Sequence, residues 1–154
     1  FNMPGLTASH ALIFNPKLRR KFHAYLESCE LDLGHVFAFL AIEAAYTHGT
    51  EWLDQCLAYI QGNIDYVDEF LKLHTPKIKA IRPQASFLVW LDCREMGLAQ
   101  DALNDFFVDK AHLALNNGVA FGEEGEGFMR LNVASPRSVL EQAMKQLADA
   151  YVKL

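Results

Sequence analysis

The residue best suited to chemistry is Arg130, inside Gly127-Phe128-Met129-Arg130-Leu131-Asn132-Val133, where apolar and polar residues alternate as in a half-buried strand. Period two puts Met129, Leu131 and Val133 on one face and Phe128, Arg130 and Asn132 on the other. A guanidinium on such a short, interior-looking strand needs an anion to offset its desolvation. A carboxylate suits it, because the planar fork can take both oxygens at once. That carboxylate can be an Asp or Glu of this chain or part of a bound ligand, and the residues alone rank the internal pair first.

Other chemistries find weaker footing. Gly122-Glu123-Glu124-Gly125-Glu126-Gly127 is glycine-rich, but a phosphate cradle needs positive charge and backbone N–H groups at a helix start. This segment carries three carboxylates and leads into a strand, so a flexible hairpin tip or lid is expected. The six histidines and three cysteines contain no Cys-x-x-Cys and no pair three or four apart, so no metal site is expected. No serine lies in a Gly-x-Ser-x-Gly elbow. Lys17, Arg19, Arg20 and Lys21 fall together and read as a solvated basic turn at a helix start.

The elements that must position Arg130 follow from periodicity. Ala11-Leu12-Ile13-Phe14 reads as a short strand, ended by Asn15-Pro16, a cap followed by a first helical residue. Leu18, Phe22, Leu26 and Cys29 line one side of the helix that follows. From His35 to Tyr46 the chain is apolar nearly all round, as in a helix buried on most sides. Thr50 is expected to cap the next helix, whose seam of Leu53, Leu57, Ile60, Ile64, Val67 and Leu71 continues to about His74, roughly 35 Å. Beyond Thr75-Pro76, a strand is expected over Ala85–Leu91 and a helix carrying Leu103, Phe106, Phe107 and Ala111. Asn116-Asn117-Gly118 is a turn signal. Val119–Phe121 and Phe128–Val133 are strand candidates, and Ser135-Pro136 opens a last helix buried through Leu140, Met144, Leu147 and Tyr151. The second half therefore reads as a small α+β unit with a short, mainly antiparallel sheet covered by helices.

Composition sets the outer bounds. With 14 Lys and Arg against 19 Asp and Glu, the formal charge is −5, and 51% of residues are hydrophobic. A mildly acidic chain argues against nucleic acid as the main partner. No apolar run is long enough to span a bilayer, and the first residues lack the order of a signal peptide. Cys29, Cys56 and Cys93, odd in number and widely spaced, argue for a reducing, cytoplasmic setting. The opening Phe1-Asn2-Met3-Pro4-Gly5-Leu6 reads as the interior of a longer protein, although a trimmed tag or processed precursor would give the same beginning.

These residues also carry a family resemblance. Phe1-Asn2-Met3-Pro4-Gly5-Leu6 resembles the stretch after the cofactor lysine of cystathionine β-lyase-like enzymes of the MalY/PatB type, in the class I/II aminotransferase superfamily. Ala44-Ala45-Tyr46, Gly49, Trp52-Leu53, Asn63, Phe87-Leu88-Val89-Trp90-Leu91-Asp92, Phe121-Gly122-Glu123-Glu124-Gly125, Gly127-Phe128-Met129-Arg130-Leu131-Asn132 and Pro136-Arg137 follow in that family's order.

The resemblance implies the C-terminal part of a fold-type-I pyridoxal-phosphate protein. Residues 1–49 would end the large cofactor-binding domain, 50–75 would be a bridging helix, and 76–154 a small C-terminal domain. It implies that Arg130 binds the α-carboxylate of an amino-acid substrate, reversing the order reached from the residues alone, with Asn132 at most a supporting neighbour. The implied activity is C–S lysis by β-elimination, giving a thiol such as homocysteine, pyruvate and ammonia. Pyridoxal 5'-phosphate acts as electron sink. The Schiff-base lysine and the other cofactor-holding residues are expected before Phe1, so no catalytic, cofactor-binding or metal-binding residue is assigned here, and these residues alone are expected to be inactive. Leu6-Thr7-Ala8 lacks a phosphate-binding arginine, which favours the lyase subgroup. Implied partners are an amino-acid substrate, the N-terminal part of the same protein and, when intact, a second copy in a homodimer. Aminotransferase activity is the near alternative, and a non-catalytic interaction module is the other.

Overall fold

The computed structural model describes residues 1–7, 9–31 and 34–154, and the chain separates into two compact units, Phe1–Cys56 and Leu57–Leu154. Ala8 of the Leu6-Thr7-Ala8 stretch lies outside the described residues.

In the first unit, α1 spans Pro16–Ser28, capped as expected by Asn15, whose side chain accepts from the backbone N–H groups of Lys17 and Leu18. Ala11–Phe14 is not a strand: a strand needs a hydrogen-bonded neighbour, and the sheet of the described residues does not include it. The Ile13 carbonyl instead accepts from Arg19 Nη1 at 3.1 Å. α2 spans Val36–His48, and here the expectation of burial on most sides is overturned. Ala38 is buried, but Val36, Phe37, Phe39, Leu40 and Tyr46 are each more than half exposed. The helix is apolar nearly all round, but within the first unit those faces stay open.

α3 spans Thr50–His74, starting at Thr50 itself. Its seam is buried only toward the C-terminal end: Ile64, Val67 and Leu71 are in the core, whereas Leu57 is 54% exposed. In the second unit, β1 (Lys79–Ile81), β2 (Leu88–Asp92), β3 (Asn116–Asn117) and β4 (Phe128–Asn132) form one antiparallel sheet in the order β1-β2-β4-β3. α4 (Gln100–Asp105) runs into a π-helical turn at Phe106–Lys110, and α5 spans Arg137–Tyr151. The core joins Ile64, Val67 and Leu71 of α3, Val89 and Leu91 of β2, Met129 and Leu131 of β4, and Leu140, Met144 and Leu147 of α5. This is the short antiparallel sheet with helices expected of the second half.

Two strand expectations change. The strand placed at Ala85–Leu91 begins only at Leu88, because Ser86 adopts a φ of 75°, which breaks extended backbone. Val119–Phe121 is part of a 3-10 turn, Gly118–Phe121, rather than a strand. The Asn117 side chain accepts from the Val119 N–H at 3.2 Å and turns the chain at that point. The glycine-rich segment is likewise not an open hairpin tip. Glu123–Gly125 forms another 3-10 turn, and Gly118 packs backbone to backbone against Gly125.

Candidate functional site

Strand β4 sets the alternation that presents Arg130. Met129, Leu131 and Val133 are buried, while Phe128 and Arg130 are partly exposed on the opposite face. Pairing register extends that face sideways. Ile81 stands opposite Trp90, Trp90 opposite Arg130, and Arg130 opposite Asn116, giving one row across all four strands.

Within that row the guanidinium is held without an acid. Arg130 Nη2 donates to Asn116 Oδ1 at 2.9 Å, and its Cζ lies 4.2 Å above the centre of the Phe121 ring. Phe121 meets Trp90 edge to face, with ring centres 5.5 Å apart. None of the ion pairs among the described residues includes Arg130. Its Nε is buried with no hydrogen-bond partner. A desolvated charged donor left unpaired costs about 1–3 kcal/mol, and a countercharge at the outer nitrogens would offset that cost through space rather than through Nε itself. Nη1, which has no partner among the described residues, and the free hydrogen of Nη2 offer an end-on fork to a carboxylate.

The two asparagines exchange the parts expected of them. Asn132 Oδ1 accepts from the Ala134 N–H at 2.9 Å, closing the turn after β4, and its recorded bond is not to Arg130. Asn116 is the asparagine that touches the guanidinium. Sequence reasoning passed over it as part of a turn signal, and only the pairing of β3 with β4 brings it opposite Arg130.

Supporting contacts fix the two ends of β4. Gln100 Oε1 accepts from the Gly127 N–H at 2.6 Å while its Nε2 donates to Asn117 Oδ1 at 2.6 Å, tying the start of β4 to β3. At the other end Asn63, fully buried in α3, donates to the carbonyls of Val133 and Ser135 at 2.8 and 3.0 Å. Asn63 Oδ1 accepts from Arg137 Nε at 2.8 Å, and the Tyr59 hydroxyl accepts from the Arg137 N–H at 2.6 Å. The Arg137 guanidinium lies over the Tyr66 ring, and burial raises the Tyr66 hydroxyl above its ordinary value.

Next to the row, Arg94 grips Asp92 through Nε and Nη2 at 2.9 and 2.8 Å, which holds the Asp92 carboxyl below its ordinary range. That pairing keeps Asp92 occupied away from Arg130. Cys93 is sealed in the core, and burial pushes its thiol up to about 12, so it is no nucleophile. Among the described residues no group of three or more His, Cys, Asp or Glu could hold a metal ion.

No protein-family model matches the chain. It is 38% identical to cystathionine beta-lyase PatB of Bacillus subtilis (strain 168) over 97% of its own length and 39% of the relative's. It is 34% identical to protein MalY of Escherichia coli (strain K12), over 97% and 39%. Among solved structures, cystalysin from Treponema denticola, which contains a pyridoxal 5'-phosphate cofactor, superposes with a TM-score of 0.90 at 31% identity, over 99% of this chain and 39% of that one. The chain thus spans about two fifths of the length of the relatives it matches. The order of motifs, the fold and these matches agree: over nearly its whole length the chain is similar to the C-terminal portion of MalY/PatB-type cystathionine beta-lyases, and it has the fold of the corresponding part of pyridoxal-phosphate proteins with the aminotransferase fold.

Proposed function

We propose that these residues form the substrate-carboxylate side of a pyridoxal-phosphate-dependent C–S lyase that acts on β-thio amino acids in the full-length protein. The observation behind this reading is Arg130: partly exposed, stacked on Phe121, steadied by Asn116, and without an acidic partner among the described residues. An amino-acid α-carboxylate arriving at Nη1 and Nη2 would meet two charge-assisted donors. Anchoring that end fixes the α- and β-carbons relative to the sheet, converting a free encounter into an oriented one.

The face fits the substrate and not the cofactor. Arg130's recorded neighbours, Asn116, Trp90 and Phe121, include neither a lysine nor a ring of phosphate donors. When bound elsewhere in the full-length protein, pyridoxal phosphate supplies the electron sink for proton loss and thiolate departure. The overall reaction is R–S–CH2–CH(NH3+)–COO− plus water giving RSH, pyruvate and ammonium.

The same reading extends to organisation. Residues 1–49 would complete the large domain, 50–75 bridge, and 76–154 form the small domain. The exposed apolar faces of α2 support burial against the rest of the protein and a second copy in a homodimer. Among the described residues no helix is long and apolar enough to cross a membrane, and three unpaired cysteines support a cytoplasmic setting.

The test is Arg130→Lys in the full-length enzyme, with pyruvate release and keto-acid exchange both measured. Charge without the fork should raise KM at least about tenfold for carboxylated substrates. Unchanged KM would remove Arg130 from the role, and keto-acid exchange without pyruvate would replace the lyase with an aminotransferase.

A further inference from the structure

The row that carries Arg130 does not end there. Beyond Trp90 lies a groove of about 320 Å³ walled by Ile81, Trp90, Phe121, Phe128 and Gly125, with Glu124 at its side. Phe121 and Trp90 belong both to this groove and to the surroundings of Arg130: one stacks under the guanidinium, and the other stands directly across from it. Ile81 is a further strand along the row, two strand spacings or roughly 10 Å from the strand of Arg130.

We propose that this groove is the subsite for the β-substituent of the substrate, and that it selects thioethers with an apolar, uncharged tip. This rests on the reading of Arg130 as the carboxylate anchor. With the carboxylate held at one end of the row, the thioether runs over Trp90 toward Ile81. Aromatic and aliphatic walls gain from covering an apolar group and gain nothing from a hydrated one. Glu124 at the side of the groove repels a second carboxylate at the tip. The selected substrate is therefore a cysteine S-conjugate with an alkyl or aryl group, in preference to one ending in an acid.

The experiment measures pyruvate release by the full-length enzyme from three probes: S-benzyl-L-cysteine, S-carboxymethyl-L-cysteine and β-chloro-L-alanine, which has almost no substituent. Ile81 is 49% exposed on an edge strand, so Ile81→Trp can fill the groove from outside the core. This variant should lower the ratio of kcat/KM for S-benzylcysteine over β-chloroalanine by about tenfold, the scale set by displacing an apolar group from a pocket. Glu124→Gln should raise kcat/KM for S-carboxymethylcysteine relative to S-benzylcysteine severalfold. An unchanged first ratio with pyruvate still released overturns the subsite and leaves Arg130 as anchor. An unchanged second ratio overturns the charge selection. Absence of pyruvate from all three probes with the unaltered enzyme overturns the lyase reading, and the subsite with it.

Discussion

The role proposed for Arg130 sets two demands on one guanidinium: it must stay in place without a carboxylate beside it and yet remain open to one. Stacking on Phe121 answers the first demand, because a ring face attracts the cation without consuming its N–H groups. Asn116 takes one N–H and leaves the others. On the adjacent strand β2, Asp92 shows the opposite solution, an acid fully engaged by Arg94. Its carboxyl is held low by that contact, so the stabilisation is present above the ordinary carboxylate value and disappears as pH falls through the depressed one. Asp92→Asn should therefore be less stable than the parent near neutrality, and the two should converge in denaturant melts as the pH drops below 3.8, the ordinary value of the group. A difference that persists at lower pH would mean that Asp92 contributes through packing.

At the scale of elements, one buried amide of α3 binds both the segment that follows the last strand and the start of the last helix. Asn63 serves two carbonyls and a guanidinium N–H while fully buried. Asn63→Ala leaves those groups unpaired out of water, a loss of about 2 kcal/mol, measurable by urea unfolding of the chain. Wild-type stability in that variant would show that water replaces the amide. Period two made β4 legible down to each residue's face, and periods of three and four found α3, α4 and α5. β1 was missed because Lys79-Ala80-Ile81 is too short to show a period and becomes a strand only by pairing with β2. Val119-Ala120-Phe121 has the residue types of a strand, yet the Asn117 side chain and the neighbouring glycines determine its path. The carboxylate role proposed for Arg130 came from family resemblance; the residues by themselves pointed to an internal ion pair, which is absent among the described residues.

Across the whole molecule burial is uneven. The continuous core is drawn from Leu57–Leu154, whereas in Phe1–Cys56 the one buried apolar residue among those described is Ala38. Local stability follows buried contact. Amides of β2, β4 and α5 should thus exchange with deuterium far more slowly than those of α1 and α2 when the chain is studied alone, at least about a hundredfold for each 2.7 kcal/mol of difference in opening free energy. Equal rates in both units would show that the apolar faces of α2 find cover in solution. The backbone contact between Gly118 and Gly125 has its own outcome at this scale. Each alpha carbon already stands against the other residue's carbonyl, so even a methyl at either position must prise apart the two turns between which Phe121 is set, and the ring would leave its place beneath the cation. Inheritance can rewrite the glutamates between them, but at these two sites the genetic code has a single admissible letter.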